Sequence, residues 1–85
     1  MLDRIDTADR LLALARPFAP GLPASNTLAR SASLSEAGLT SMAAVRLMLA
    51  IEAAFEIAIP DAELTPENFA TADSILTLIG RSAAR

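Results

Sequence analysis

The chain has 85 residues, 53% hydrophobic and only 4% aromatic, with a mean hydropathy of +0.43; it reads as one domain, residues 1–85, too apolar for disorder and too small to bury all its apolar surface. Seven basic residues, all arginine, against ten acidic ones give a net charge of −3, and no basic stripe forms, which argues against a nucleic-acid partner. Cys, His and Lys are absent, which removes disulfides, zinc clusters, thiolate or imidazole relays and Schiff-base chemistry, so the chain by itself is not equipped to be an enzyme.

Between Leu2 and Arg16, the apolar residues Ile5, Ala8, Leu12 and Ala15 recur at three- and four-residue steps, and Leu11 widens the stripe. This spacing predicts an amphipathic helix. Asp3 in its first turn and Arg16 in its last suit the helix dipole, and Pro17 ends it. From Pro17 to Thr40 no period emerges. Leu28 and Leu34 are apolar anchors, and a short helical turn fits between Thr27 and Ala32. A loop of this length in a compact domain points to a function.

Ser41 to Ile57 has no Gly or Pro and is rich in Ala, Leu and Met, so it predicts a second long helix. Leu47, Ile51 and Phe55, with Ala44, Met48 and Ala54, cover one side. Met42, Val45 and Leu49 form a stripe on roughly the other. A helix apolar on both sides is central in its bundle or half exposed to a partner, and with so few other elements the second is expected.

Ile59 and Pro60 begin a turn. Thr65-Pro66-Glu67 predicts the start of a short helix ending near Phe69 or Ala70. Thr71 then caps a last helix running towards Ile79, with Gly80 as a terminator or a weak point. No strand-like alternation appears. The expected fold is all-α: a small four-helix bundle of three main helices, one short helix and a long first loop.

The chemistry gathers at Gly38-Leu39-Thr40-Ser41-Met42. Gly38 permits a sharp turn, and Thr40 or Ser41 caps the second long helix. A hydroxyl there lies at the positive end of a helix beside unpaired N–H groups, a favourable place for phosphate. Taken alone, Ser41 is simply a capping residue.

The surroundings add weight. Leu34-Ser35-Glu36-Ala37-Gly38-Leu39-Thr40-Ser41-Met42, followed by Leu47, Ile51-Glu52, Phe55-Glu56-Ile57 and Ile59-Pro60-Asp61, and then Phe69-Ala70-Thr71 with Ile75, resembles the acyl carrier protein family over about residues 33 to 80. That family bears 4'-phosphopantetheine on the serine of an Asp-Ser-Leu motif. Here the motif reads Thr40-Ser41-Met42, so the cap is kept and its negative charge is lost. The second helix is also less acidic than is usual in the family: Ala43, Arg46 and Ala53 occupy outward positions, and Glu52 and Glu56 remain. The Gly-Leu-Thr-Ser-Met start and the Val45-to-Glu52 run are most similar to the aminoacyl carrier proteins, which are charged by amino acid:carrier-protein ligases.

The resemblance implies a carrier protein, not an enzyme. Ser41 would be the phosphopantetheine attachment residue, modified by a phosphopantetheinyl transferase. The group would hold an aminoacyl or acyl cargo as a thioester for transfer between partner enzymes. Met42, Val45, Arg46, Leu49 and Glu52 would form the partner-binding face, reached by the ligase or by acyl-transfer enzymes; the other reading of the stripe is packing against the long loop. Ser33 and Ser35 are the nearest rivals to Ser41, but they precede the turn. A fatty-acid or polyketide-type acyl carrier, or a helical interaction module without a prosthetic group, are the alternatives. No run of about eighteen apolar residues is present to span a membrane. Asp3, Arg4 and Asp6 are unlike a secretory signal, so a cytoplasmic monomer without a metal is expected.

Overall fold

The computed structural model describes the backbone of residues 3–83 and the side-chain surroundings of residues 7–82. The expected start of the first helix at Leu2, and the side chains of Asp3 and Ile5, lie outside the described residues. Among those residues there are four α-helices and no strand: α1 (Asp3–Ala15), α2 (Asn26–Ser31), α3 (Ser41–Phe55) and α4 (Ala72–Ala83), with one 3-10 turn at Asp61–Glu63. Helix α1 packs against the other three, and α2 also meets α4. The core joins Leu11 and Leu12 of α1, Leu47 and Ile51 of α3, and Ile75 and Leu78 of α4. Leu34 of the long connection is fully buried among them.

The long connection is built, not slack. Its short helix α2 occupies the place where a helical turn is expected, capped by the Ser25 hydroxyl. Gly21 donates its N–H to Ala37 O at 2.8 Å. A Cβ at Gly21 would lie 3.0 Å from Ala37 Cα and O, so only glycine lets the two strands of the loop approach this closely. Arg16 lies just past the end of α1 rather than in its last turn. Its guanidinium donates to Pro23 O at 2.8 Å, Ala24 O at 3.2 Å and Asn26 Oδ1 at 2.6 Å. Asn26 in turn donates to Asp9 Oδ1 at 3.0 Å. These acceptors hold Arg16 over the loop, away from the carbonyls that a C-terminal helix cation would cap. Of the two anchors, Leu34 is buried but Leu28 is 63% exposed on α2. Ala29 takes the inward position instead.

Thr65 starts a single turn and not a helix. Its Oγ1 accepts from Asn68 N and its carbonyl from Phe69 N, both at 3.1 Å. Glu67 O accepts from Ala70 N only at 3.5 Å, and two later carbonyls are diverted: Asn68 O accepts from Ser74 Oγ at 2.8 Å, and Ala70 O from Leu34 N at 2.9 Å. The short helix of the bundle is therefore α2. Thr71 and Ser74 then cap α4 reciprocally, each side-chain oxygen accepting the other's N–H at 3.1 Å. Gly80 does not end α4. It is an exposed interior residue with open space around it, and burial of Leu78 and Ile79 beside it carries the helix past the weak point.

Candidate functional site

Leu39 is buried, and its N–H donates to Leu34 O at 2.9 Å, fixing where α3 begins. Gly38 has a φ of +107°, a conformation that side chains rarely adopt, and so turns the chain into the helix. Thr40 is the cap: its backbone is extended, and its Oγ1 accepts the Ala43 N–H at 3.1 Å. Its carbonyl accepts from Ala44 N at 2.8 Å. Of the two capping candidates, Thr40 does the capping, and Ser41 is left as the first residue of α3, exposed to solvent.

Division of labour at this helix start leaves useful groups uncommitted. Among the described residues, neither the N–H of Ser41 nor that of Met42 finds an acceptor, and the Ser41 hydroxyl makes no hydrogen bond. Ser33 and Ser35 are differently placed. Their hydroxyls lie 3.2 Å apart, and Ser33 Oγ accepts from Glu36 N at 3.2 Å, so they stabilise the turn before Gly38.

Beside Ser41 runs a groove of about 430 Å³. Leu39, Ala44 and Val45 form one wall, Leu64, Pro66 and Phe69 the other, and Ser33, Ser35 and Thr65 lie along it. No charged side chain lines it. The far wall is not legible in the sequence, since Leu64 and Phe69 come to the groove by tertiary packing: Phe69 lies in the core, Leu64 packs against it, and Leu34 N bonds Ala70 O. The only hint was the Thr65-Pro66 turn signal next to an aromatic residue.

The residues expected to face a partner divide. Met42 is 68% exposed, Leu49 55% and Val45 37%, and Arg46 is exposed between them. The opposite side of α3, with Leu47, Met48 and Ile51, is buried. The stripe is therefore open rather than packed against the long loop, except where Val45 also borders the groove. Glu52 differs from the rest of the expected face. It is half-buried, and its Oε2 accepts the Ile59 N–H at 2.7 Å, tying the exit loop to the helix.

The 4'-phosphopantetheine implied by the sequence fits this place. Its phosphate would meet two unpaired N–H groups at the positive end of a 15-residue helix, and the uncharged groove suits a chain of methylene and amide groups. Comparison with known proteins agrees. The chain matches the phosphopantetheine attachment site family over residues 20–79. It is 37% identical over 78 residues to aminoacyl carrier protein 1 of Bradyrhizobium diazoefficiens, covering 87% of this chain and 82% of that protein. It is 45% identical over 64 residues to the aminoacyl carrier protein of Agrobacterium fabrum, covering 69% and 77%. Among solved structures, it superposes with a TM-score of 0.71 on a chain from the Bradyrhizobium japonicum glycine:carrier-protein ligase complexed with its cognate carrier protein and an analogue of glycyl adenylate. That match has 31% identity and covers 87% of this chain and 95% of the other. A second structure, the same ligase complexed with glycylated carrier protein, gives 0.68 at 32% identity, covering 84% and 95%. The chain belongs to the phosphopantetheine attachment family and, with these relatives, to the aminoacyl carrier proteins within it.

Proposed function

We propose that Ser41 is the attachment residue and that the chain presents an aminoacyl group, loaded by an amino acid:carrier-protein ligase, to an acceptor enzyme. The observation that carries this reading is the exposed, unbonded Ser41 hydroxyl at the first position of α3, next to two unpaired N–H groups. When bound, the phosphopantetheine supplies the thiol that the chain lacks and so holds the cargo as a thioester. Ser41 Oγ provides the point of attachment: with a phosphopantetheinyl transferase it would form a P–O bond to the pantetheine-side phosphorus of coenzyme A as the diphosphate bond breaks, releasing adenosine 3',5'-bisphosphate and giving up the hydroxyl proton to the transferase or solvent. The amides of Ser41 and Met42 face the phosphodiester, a helix-end interaction of about 0.3–1 kcal/mol. Thr40 keeps those amides oriented by capping Ala43. Val45 and Leu39 give the arm an apolar wall on which to rest.

The chain has no Cys, His or Lys, and it acts as a carrier and not a catalyst. The exposed Met42, Val45, Arg46 and Leu49 are the surface that the ligase meets, while Glu52 serves the fold. The carrier works as a monomer, and in the cytoplasm, where coenzyme A supplies the arm.

The test is intact mass after incubation with coenzyme A and a phosphopantetheinyl transferase. Wild-type chain is expected to gain one phosphopantetheine, and Ser41→Ala none, with an unchanged helical circular dichroism spectrum. Full modification of Ser41→Ala would move the site to another hydroxyl. Charging of the modified chain with free amino acids, and not with fatty acids, identifies the cargo class.

A further inference from the structure

Five arginines fall among the residues whose side chains are described, and four of them are engaged. Arg10 donates to Ala54 O at 2.9 Å and stacks 4.5 Å from the Phe55 ring centre. Arg16 holds the long loop. Arg30 pairs with Asp73 at 2.8 Å and Arg81 with Glu63 at 3.0 Å. Arg46 makes no hydrogen bond or ion pair among the described residues, and it stands exposed within the apolar stripe.

The rest of that face is informative. At 100° per residue, Met42, Val45, Arg46, Leu49 and Ala53 share one side of α3, Glu56 follows as the left-handed cap residue just past its end, and all six are exposed. Arg46 lies near the Ser41 end. Glu56 lies about 15 Å further along the axis, at 1.5 Å per residue. Between them the face is uncharged. A chain with a net charge of −3 thus presents a cation where its loaded end meets a partner, and an anion only at the far end.

Resting on the carrier–ligase reading above, we infer that Arg46 and Glu56 set the direction in which the ligase docks. The matching ligase surface is apolar at its centre, carries a carboxylate opposite Arg46 near the entrance for the Ser41-borne arm, and carries a cation opposite Glu56. A docking surface that is basic throughout is repelled at Arg46, so this one residue discriminates against partners built for acidic carriers.

The experiment uses the phosphopantetheinylated full chain and the Bradyrhizobium japonicum glycine:carrier-protein ligase as the probe. Charging kcat/KM is measured for wild type, Arg46→Ala, Arg46→Glu, Glu56→Arg and Arg81→Glu, at low and at high salt. At low salt Arg46→Ala is expected to fall by roughly threefold and Arg46→Glu by about tenfold or more, through association, with the differences shrinking as salt screens the charges. Glu56→Arg falls less than Arg46→Glu. Arg81→Glu changes net charge by the same amount away from the face and leaves charging unchanged, which separates a local effect from a global one. Equal charging of wild type and Arg46→Glu, a loss that salt does not diminish, or an equal loss in Arg81→Glu overturns the inference while leaving the carrier reading intact. A wild-type chain that takes no arm, or takes it and is never charged, overturns both.

Discussion

Among the described residues, α3 leaves two amide N–H groups and a serine hydroxyl without partners at its Ser41 end, whereas at its Glu56 end neighbouring groups take up part of the deficit. Glu56 closes that end in a left-handed conformation, with its N–H donating to Glu52 O. Ile57 N donates to the same carbonyl at 3.2 Å. Arg10 takes Ala54 O, and the Glu52 carboxylate takes Ile59 N. Both ends of a helix begin with the same deficit of unpaired backbone groups. Here one end is partly satisfied by the protein, through Arg10 at Ala54 O, and the other, beyond its Thr40 cap, stays open. Rigidity at the closed end fixes the helix; openness at the other lets it receive a charged group.

Breaking the closed end has the largest expected effect on stability. Glu52→Ala leaves the Ile59 N–H without its acceptor and costs about 1–3 kcal/mol, read as a lower urea midpoint; Glu52→Gln, which keeps an oxygen, recovers most of it. At the open end, Thr40→Ala removes the cap for about 1 kcal/mol, and Thr40→Asp restores it. In both, intact mass shows Ser41 still modified, because the serine and its N–H groups remain. Glu56→Gly sharpens the contrast in the other direction. It relieves a φ of +55° and raises stability by about 0.5 kcal/mol, read as a higher melting temperature. The smallest effect on stability is that of Leu49→Asp, within about 0.5 kcal/mol because the side chain is exposed, yet ligase charging falls clearly. A large drop in melting temperature for Leu49→Asp would make that residue part of the core.

Much of this arrangement was legible in the residues. The two-sided apolar pattern of Ser41 to Ile57 implied one buried and one open face, and Leu47, Met48 and Ile51 against Met42 and Leu49 divide in that way. Helix starts were readable because their cause is local: Thr40 and Thr71 cap through bonds spanning three residues. Helix ends were less so. Gly80 has the residue type of a terminator but sits where burial of Leu78 and Ile79 keeps the helix going. Thr65-Pro66 has the signature of a helix start, but its later carbonyls are claimed by Ser74 and Leu34, which no local rule foresees. The fold contact of Glu52 was hidden for the same reason: its spacing puts it beside the open stripe, while the N–H it accepts, that of Ile59, lies beyond the end of the helix.

The carrier chemistry came only from the resemblance of its motifs to a known family; by itself, the sequence determined the all-helical class and the serine at the start of a long helix. These follow from residue type and from periodicities of three or four positions, which act over a single turn of helix. Only the tertiary structure decided that a groove stands beside Ser41, that Glu52 serves the fold, and that Arg46 alone of the described arginines is left without a partner. Each depends on segments far apart in the chain being brought within bonding distance, and that is set by how the core closes around Leu34, Leu47 and Ile75.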